Sequence, residues 1–208
     1  MEEILKNMEE EKRVRVINAA IEEFSLYPFE KASTNNIVKN AGISKGLLFH
    51  YFGSKQDLYD KLIEFVVNKI FTEVKEGIDW NETDIFERMK QIALLKMDIS
   101  RKYPNMFDFI LKTLKNNTNY TVDEIISFYQ KYGVNMNEMM QRVYTENIAF
   151  DRFKDPSIMD KSMNIIRWTI EKYAEDELAH IVEFDRESFD LMAKGMDEYI
   201  NVLKKAFY

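Results

Sequence analysis

Hydrophobic residues recur at spacings of three and four along most of this chain, a pattern that predicts α-helices nearly throughout. The first stripe predicts a helix over about residues 9–26, and its apolar members are Val16, Ile17, Ala20, Ile21 and Phe24. Pro28 is expected to end this helix, because proline disfavours helical geometry at the preceding residue and offers no backbone N–H. The chain has 6 glycines and 3 prolines, which is few for a β-rich protein with many turns.

Residues 34–52, TNNIVKNAGISKGLLFHYF, predict two short helices around a sharp turn. Thr34 is expected to cap the first helix and Ser44 the second, because a hydroxyl oxygen accepts from the free N–H groups at a helix start. Gly42 lies between them, where a tight turn needs a residue that tolerates positive φ. A helix, a short turn containing glycine and a second helix form a helix-turn-helix, which places its second helix in the major groove of DNA.

The remainder of the chain predicts about six further helices. The first runs from Ser54, a favourable capping residue, towards Glu76, and no flexible linker separates it from the helix-turn-helix. The others are expected over about residues 84–102, from Pro104 to Leu114, over 122–148 with Gly133 as a candidate kink, from Pro156 to about Val182, and over 186–206. Residues 116–121, NNTNYT, are expected to form a polar loop.

These elements predict an all-α protein of about nine helices, with a three-helix DNA-binding domain in residues 1–54 and a helical bundle in residues 55–208. The last helix carries an apolar stripe spaced as in helix-on-helix seams, and two interpretations of the stripe stay open. It either faces the core of its own subunit or pairs two subunits. The candidate dimer residues are Met163, Ile166, Ile170, Phe189, Met192, Met196, Tyr199 and Leu203.

The charge is distributed unevenly along the chain. The formal net charge is −7. Residues 12–55 carry a net +4, whereas residues 1–11 carry −4 and residues 56–208 carry −7. A basic segment of this kind fits a DNA-reading head on a body that does not bind DNA, so the negative total does not argue against DNA binding.

Several classes of protein are disfavoured by the composition. The absence of cysteine excludes disulfides and thiolate metal sites. The acidic start of the chain does not resemble a secretory signal, and no run of 18 apolar residues predicts a membrane span. We therefore expect a cytoplasmic protein that needs no cofactor or metal and does not associate with membranes.

Residues from about Lys12 to Leu62 resemble the DNA-binding region of the TetR/AcrR family of transcriptional regulators. The segments that carry this resemblance are AAIEEF, STNNIVKNAGISKGLLFHYF and SKQDLY, together with the spacing between them. The resemblance implies a homodimer that binds a palindromic double-stranded DNA operator. It also implies that the body binds a small-molecule effector and that the operator is then released.

The candidate DNA-contacting residues come from this segment and the helix after it. Lys45 is placed to reach a guanine edge or a phosphate, and Gly46 permits close approach of the backbone to DNA. Leu47 either contacts a thymine methyl group or belongs to the core. The rings of His50 and Tyr51 are expected to donate to phosphate oxygens. The full candidate set is Ser33, Thr34, Ser44, Lys45, Gly46, Leu47, His50, Tyr51 and Lys55.

The body is rich in methionine and aromatic residues, most of which must fill its core. Methionine-rich and aromatic linings also adapt to apolar ligands, and pockets form between the helices of bundles. The candidate ligand-lining residues are Phe109, Tyr129, Tyr132, Met136, Met163 and Trp168. The sequence does not identify the ligand.

Two alternatives to a ligand-released repressor remain open. The same residues are compatible with an activator or with a DNA-binding regulator that has no ligand. An α-helical enzyme is disfavoured, because His50 and His180 are the only histidines and no HExxH, GxSxG or P-loop motif occurs. No catalytic residues are therefore assigned.

Overall fold

A computed structural model describes residues 5–115, 122–180 and 186–208, and within these ranges the protein is helical with no strand. The all-α prediction is therefore confirmed. The ten α-helices of the described residues are α1 (Glu10–Leu26), α2 (Thr34–Ala41), α3 (Lys45–Phe52), α4 (Lys55–Gly77), α5 (Ile85–Lys102), α6 (Met106–Lys115), α7 (Val122–Lys131), α8 (Met136–Thr145), α9 (Met159–His180) and α10 (Arg186–Phe207). Two 3₁₀ turns, Phe150–Arg152 and Pro156–Ile158, lie between α8 and α9. In the described residues, no helix is long and apolar enough to cross a membrane.

The chain divides into two compact units. Unit 1 comprises residues 1–72 and 99–136, and unit 2 comprises residues 73–98 and 137–208. Each unit therefore comprises two separate stretches of sequence. Helices α4 and α5 each contribute residues to both units. The boundary at residue 54 that the sequence predicts between a DNA-binding domain and a body stays a prediction.

Unit 1 is organised around the apolar stripe of α1, whose residues Val16, Ile17, Ala20, Ile21 and Phe24 are all buried as predicted. An aromatic cluster extends this core, since the ring of Tyr59 on α4 lies 4.9 Å from Phe24 and 5.8 Å from Phe109 on α6. The ammonium of Lys112 donates to the backbone oxygen of Ser25 over 2.6 Å, which fastens α6 to the end of α1. The helix-turn-helix therefore rests on a core that includes α6.

The helix ends of the helix-turn-helix follow the sequence signals with one correction. Ser33, not Thr34, is the N-cap of α2, and its hydroxyl accepts from the backbone N–H of Asn36. Thr34 is instead the first helical residue, because Ser33 has the extended backbone that a capping position requires. Ser44 caps α3 as expected, and Gly42 closes α2 in the left-handed conformation with φ 66°.

Three other predicted boundaries differ from the structure. The helix expected over residues 122–148 is two helices, α7 and α8, because Gly133 adopts φ 76° and ends the helical path. The helix expected at Pro104 begins at Met106, and Pro156 opens a 3₁₀ turn before α9. The predicted loop 116–121 and the last two residues of the predicted helix ending at Val182 lie outside the described residues.

Unit 2 contains a buried cation that no sequence pattern predicts. The side chain of Arg88 on α5 is fully buried. Its Nη1 donates to the backbone oxygens of Arg142, Val143 and Glu146 at the end of α8, at distances of 2.6 to 3.5 Å. Its Nη2 donates to two carbonyls in the loop before α5, those of Trp80 and Glu82. One guanidinium therefore joins the loop before α5 to the end of α8.

The two last helices pack against each other in unit 2. Five of the eight candidate dimer residues are buried there within a single chain: Ile166, Ile170, Met192, Met196 and Leu203. Met163 and Phe189 are partly buried, and Tyr199 is 51% exposed. Close packing is visible at Gly195, where an added Cβ would lie 2.0 Å from the hydroxyl of Tyr173. That hydroxyl donates to the backbone oxygen of Met192, so the absence of a side chain at Gly195 permits the contact.

Candidate nucleic-acid interface

Helix α3 presents a short polar surface to solvent. Ser44, Lys45, Gly46 and His50 are exposed, so four of the candidate DNA contacts are accessible. Leu48 and Phe52, on the opposite side of the helix, are buried in the core of unit 1. This division follows from the helical period and leaves a narrow strip of α3 available to a partner.

The two remaining candidates on α3 are partly buried. Leu47 and Tyr51 both pack against the core of unit 1 while keeping part of their surface exposed. The ring of His50 lies 5.5 Å from that of Tyr51 in an edge-to-face arrangement, which helps to hold both rings in place. Of the two alternatives for Leu47, packing against the core is favoured. Part of the side chain nevertheless remains exposed to solvent.

The start of α3 is suited to close approach by an anion. The hydroxyl of Ser44 accepts from the backbone N–H of Leu47 over 3.1 Å, and no acidic residue lies in the first turn. A Cβ added at Gly46 would meet nothing nearer than the Ser44 hydroxyl at 4.0 Å. Gly46 is therefore not required by packing within the protein, whereas bare backbone at a helix N-terminus is attractive to phosphate.

The two candidate lysines differ in their surroundings. The Lys45 ammonium lies 5.9 Å from the centre of the Phe49 ring on its own helix. The Lys55 ammonium lies 4.7 Å from the ring of Phe29 and donates to the backbone oxygen of Glu30 over 3.4 Å. Lys55 is therefore tied to the loop before α2, and Lys45 is the more accessible cation.

The start of α2 contains the other two candidates, Ser33 and Thr34, both partly buried. A residue that the sequence did not single out, Glu23 of α1, accepts from the backbone N–H of Ser33 over 2.7 Å. Its carboxylate oxygens also accept from the side-chain amide of Asn36, over 3.3 and 3.4 Å. One sequence signal could have identified Glu23: it is an acidic residue on the apolar stripe of α1, three residues after Ala20.

The six candidate ligand residues are divided between the units. Phe109, Tyr129, Tyr132 and Met136 lie in unit 1, whereas Met163 and Trp168 lie in unit 2. Phe109 is fully buried, and Trp168 is 58% exposed. Burial raises the pKa of the Tyr129 phenol and, aided by the nearby Asp60 carboxylate, that of Tyr132 as well. Both phenols therefore stay neutral at physiological pH.

The capped α2 and α3, the left-handed Gly42 between them and the exposed strip of α3 define a helix-turn-helix DNA-binding protein. Residues 16–62 match the family model described as "Bacterial regulatory proteins, tetR family". This match confirms that residues 16–62 form a DNA-binding segment of the TetR type, as the sequence resemblance predicted.

Solved structures of the family share the fold at low sequence identity. A TetR family regulator from Chloroflexus aurantiacus aligns with a TM-score of 0.62 and 18% identity, over 99% of this chain and 97% of the other. A TetR family regulator from Marinobacter aquaeolei aligns with a TM-score of 0.55 and 16% identity, over 97% and 98%. At these identities the likeness concerns the fold.

Curated relatives include proteins named nucleoid occlusion factor SlmA. The one from a Marinomonas species is 20% identical over 142 residues, which is 68% of this chain and 66% of that protein. The one from Mannheimia succiniciproducens is 30% identical over 77 residues, or 37% of this chain and 35% of that protein. The match covers less than two thirds of each of these relatives.

Proposed function

We propose that this protein is a homodimeric, cytoplasmic transcriptional regulator that represses from a palindromic operator and releases it on binding a small, largely apolar or aromatic ligand. The observation that carries the DNA-binding part is the exposed strip of α3 at Ser44, Lys45, Gly46 and His50, within a segment that matches the family model. The proposed activity is binding and not catalysis.

The proposed DNA contacts are those predicted from the sequence, with roles set by their surroundings. Lys45 contacts a base edge or phosphate, and the bare backbone at Gly46 lies against the DNA. His50 and Tyr51 donate to phosphate oxygens, with the ring of Tyr51 held by the core. The other proposed contacts flank these residues, and they are Ser33, Thr34, Ser44, Leu47 and Lys55.

Replacing Lys45 with alanine is expected to weaken binding to operator DNA by at least about tenfold, since each half of the dimer then lacks the ammonium that reaches a base or phosphate. If Lys45 binds phosphate, the slope of log affinity against log salt becomes shallower by about 0.9 for each ammonium removed from a phosphate. The probe is a duplex that the wild-type protein selects from a randomised pool, and affinity is measured by fluorescence anisotropy at several salt concentrations.

A matched control for this experiment is Lys205→Ala, which removes the same charge from an exposed position on α10. Its affinity and salt slope should equal those of the wild type. Tyr51→Phe is a second test, because it keeps the ring against the core and removes the hydroxyl alone. Selection of no duplex by the wild type, or equal binding by Lys45→Ala, would contradict the proposed interface.

The dimer is proposed to form through a second stripe of α10, beside the one buried in unit 2. Leu191, Tyr199 and Val202 occur at helical spacing with Gly195 between them, and their side chains are 62%, 51% and 66% exposed. On α9, Ile165 and Trp168 are also exposed. Large apolar side chains grouped on two packed helices are typical of an interface between subunits.

The double variant Leu191→Glu with Val202→Glu is expected to be a folded monomer where the wild type is a dimer. Both positions are exposed in one chain, so folding should be little affected, whereas symmetry brings the new charges of two subunits onto one interface. Sedimentation velocity measures the association and circular dichroism the helix content. Asn201→Glu, an exposed residue on the same helix, is the control. A dimeric double variant would place the interface elsewhere.

The effector is proposed to bind in unit 1, at the candidate residues Phe109, Tyr129, Tyr132 and Met136. Footprinting on the DNA upstream of the protein's own gene, with and without a small-molecule cell extract, tests this part. Loss of the footprint with extract supports a ligand-released regulator. A footprint that persists supports a regulator without a ligand, and increased transcription on binding supports an activator.

A second candidate function is a role in nucleoid occlusion, as in the relatives that carry that name. It is favoured by one observation: the similarity to the Marinomonas nucleoid occlusion factor extends over 142 residues, well beyond the 47 that match the family model. Chromatin immunoprecipitation separates the two candidates. One or a few promoter sites support a local regulator, and many sites without transcript changes support the second candidate.

A further inference from the structure

Glu23 is an acidic residue in an otherwise apolar environment. Its side chain is 5% exposed, and its neighbours on the buried face of α1 include Ala19, Ala20 and Phe24. A carboxylate in such a place is costly unless hydrogen-bond donors surround it. The donors that surround Glu23 are the Ser33 N–H and the Asn36 amide, and both belong to the start of α2.

The start of α2 is held both by its own N-cap and by a hydrogen bond to Glu23. Ser33 caps α2 through its hydroxyl, while its own backbone N–H is held by Glu23. Helix α2 has eight residues and no acidic residue in its first turn. The carboxylate of Glu23 therefore supplies, from α1, the negative charge that a helix N-terminus favours.

The orientation of α2 matters because α3 follows it after a short turn. A hydrogen bond to an ionised group is stronger and more directional than one between neutral groups. Two donors of α2 converge on one buried carboxylate, which restricts both rotation and sliding of α2 along α1. Since Ser33 and Thr34 are proposed DNA contacts, this restriction also sets where they meet the phosphate backbone.

We propose that Glu23 is a positioning residue that holds the helix-turn-helix at the angle on α1 required for operator binding. The inference rests on the proposed function, because it concerns the same DNA-binding surface. Glu23 acts through Ser33 and Asn36 and does not itself touch DNA.

The test uses the full-length protein and an exchange of hydrogen-bonding groups. In Glu23→Gln the side chain offers a single acceptor oxygen, and its new amide faces the amide of Asn36. In the double variant Glu23→Gln with Asn36→Asp, the glutamine oxygen accepts from Ser33 and its amide donates to the new carboxylate. The double variant has the wild-type net charge. Glu22→Gln, at the adjacent exposed position, controls for the charge removed in the single variant.

The measured quantities are affinity for the duplex selected by the wild type, the melting temperature and the ¹H–¹⁵N signal of Ser33. We expect Glu23→Gln to lose at least about tenfold in affinity, since one charge-assisted hydrogen bond is weakened in each head of the dimer. The double variant should recover most of that loss, and Glu22→Gln should bind as the wild type. The Ser33 amide proton should move upfield in Glu23→Gln and return in the double variant.

Each outcome bears on a different claim. Wild-type affinity in a folded Glu23→Gln variant overturns the inference alone. A double variant that is folded at the assay temperature, shows the restored Ser33 signal and still binds weakly also overturns it, because geometry would then not be the cause. A wild-type protein that selects no duplex overturns the proposed function, and the inference falls with it.

Discussion

The Gly46→Ala variant is expected to be at least as stable as the wild type and to bind operator DNA about a hundredfold less tightly. The free protein has room for the new methyl group, since the nearest atom lies 4.0 Å away. Alanine also favours a helix over glycine by about 1 kcal/mol. In the complex, a methyl group at a close backbone contact costs about 1–3 kcal/mol, and it occurs twice in the proposed dimer.

The opposite signs of these two effects make the prediction informative. A glycine needed for folding would lower both the melting temperature and the affinity when replaced. Ser127→Ala, an exposed helix position on α7 outside the helix-turn-helix, is the control, and it should raise stability slightly without altering affinity. Thermal melts and anisotropy on the selected duplex measure the two quantities. Undiminished affinity in Gly46→Ala would mean that the backbone at this position does not approach the DNA.

The Arg88→Ala variant is expected to lose about 3–5 kcal/mol of the free energy of unfolding, because a large buried side chain and a charged hydrogen-bond donor are both removed. Five backbone carbonyls lose the donor that Arg88 supplies, although those of Trp80 and Arg142 keep a second donor, and the buried side chain leaves a cavity. Since proteins are typically stable by about 5–15 kcal/mol, this loss is a large fraction of the total stability.

Urea unfolding followed by circular dichroism measures this destabilisation. The control is Arg142→Ala. The guanidinium carbons of Arg88 and Arg142 both lie over the Trp80 ring, 5.8 and 4.0 Å from its centre, but Arg142 is partly exposed and pairs with Glu146. Its destabilisation should be clearly smaller. Arg88→Lys should lie between the two, because an ammonium keeps the charge without the planar fork that reaches both sets of carbonyls. Equal destabilisation in the two alanine variants would contradict a special role for Arg88.

The helix-turn-helix and the helical class of the protein could both be predicted from residue order alone. The spacing of Ile17, Ile21 and Phe24, the serine at position 44 and the glycine at position 42 act locally, over one or two helical turns. Local signals of this kind can be read from the sequence without knowledge of the fold. The same logic explains the error at residues 122–148, where a glycine with positive φ is not distinguishable by pattern from a glycine that merely bends a helix.

The packing of helices in three dimensions determines which polar groups meet and which apolar faces stay exposed. Glu23 meets Ser33 and Asn36 across two helices, and Arg88 meets carbonyls more than fifty positions away in sequence. The position of Glu23 beside an apolar stripe can be seen in the sequence, but no local signal identifies the partners of either residue. On α10, two neighbouring stripes are both apolar, and the fold buries Met192 and Met196 while it exposes Leu191 and Val202. The helical period predicted the stripe that contains Met192 and Met196, and only the packing of α10 against α9 shows that Leu191 and Val202 are left exposed.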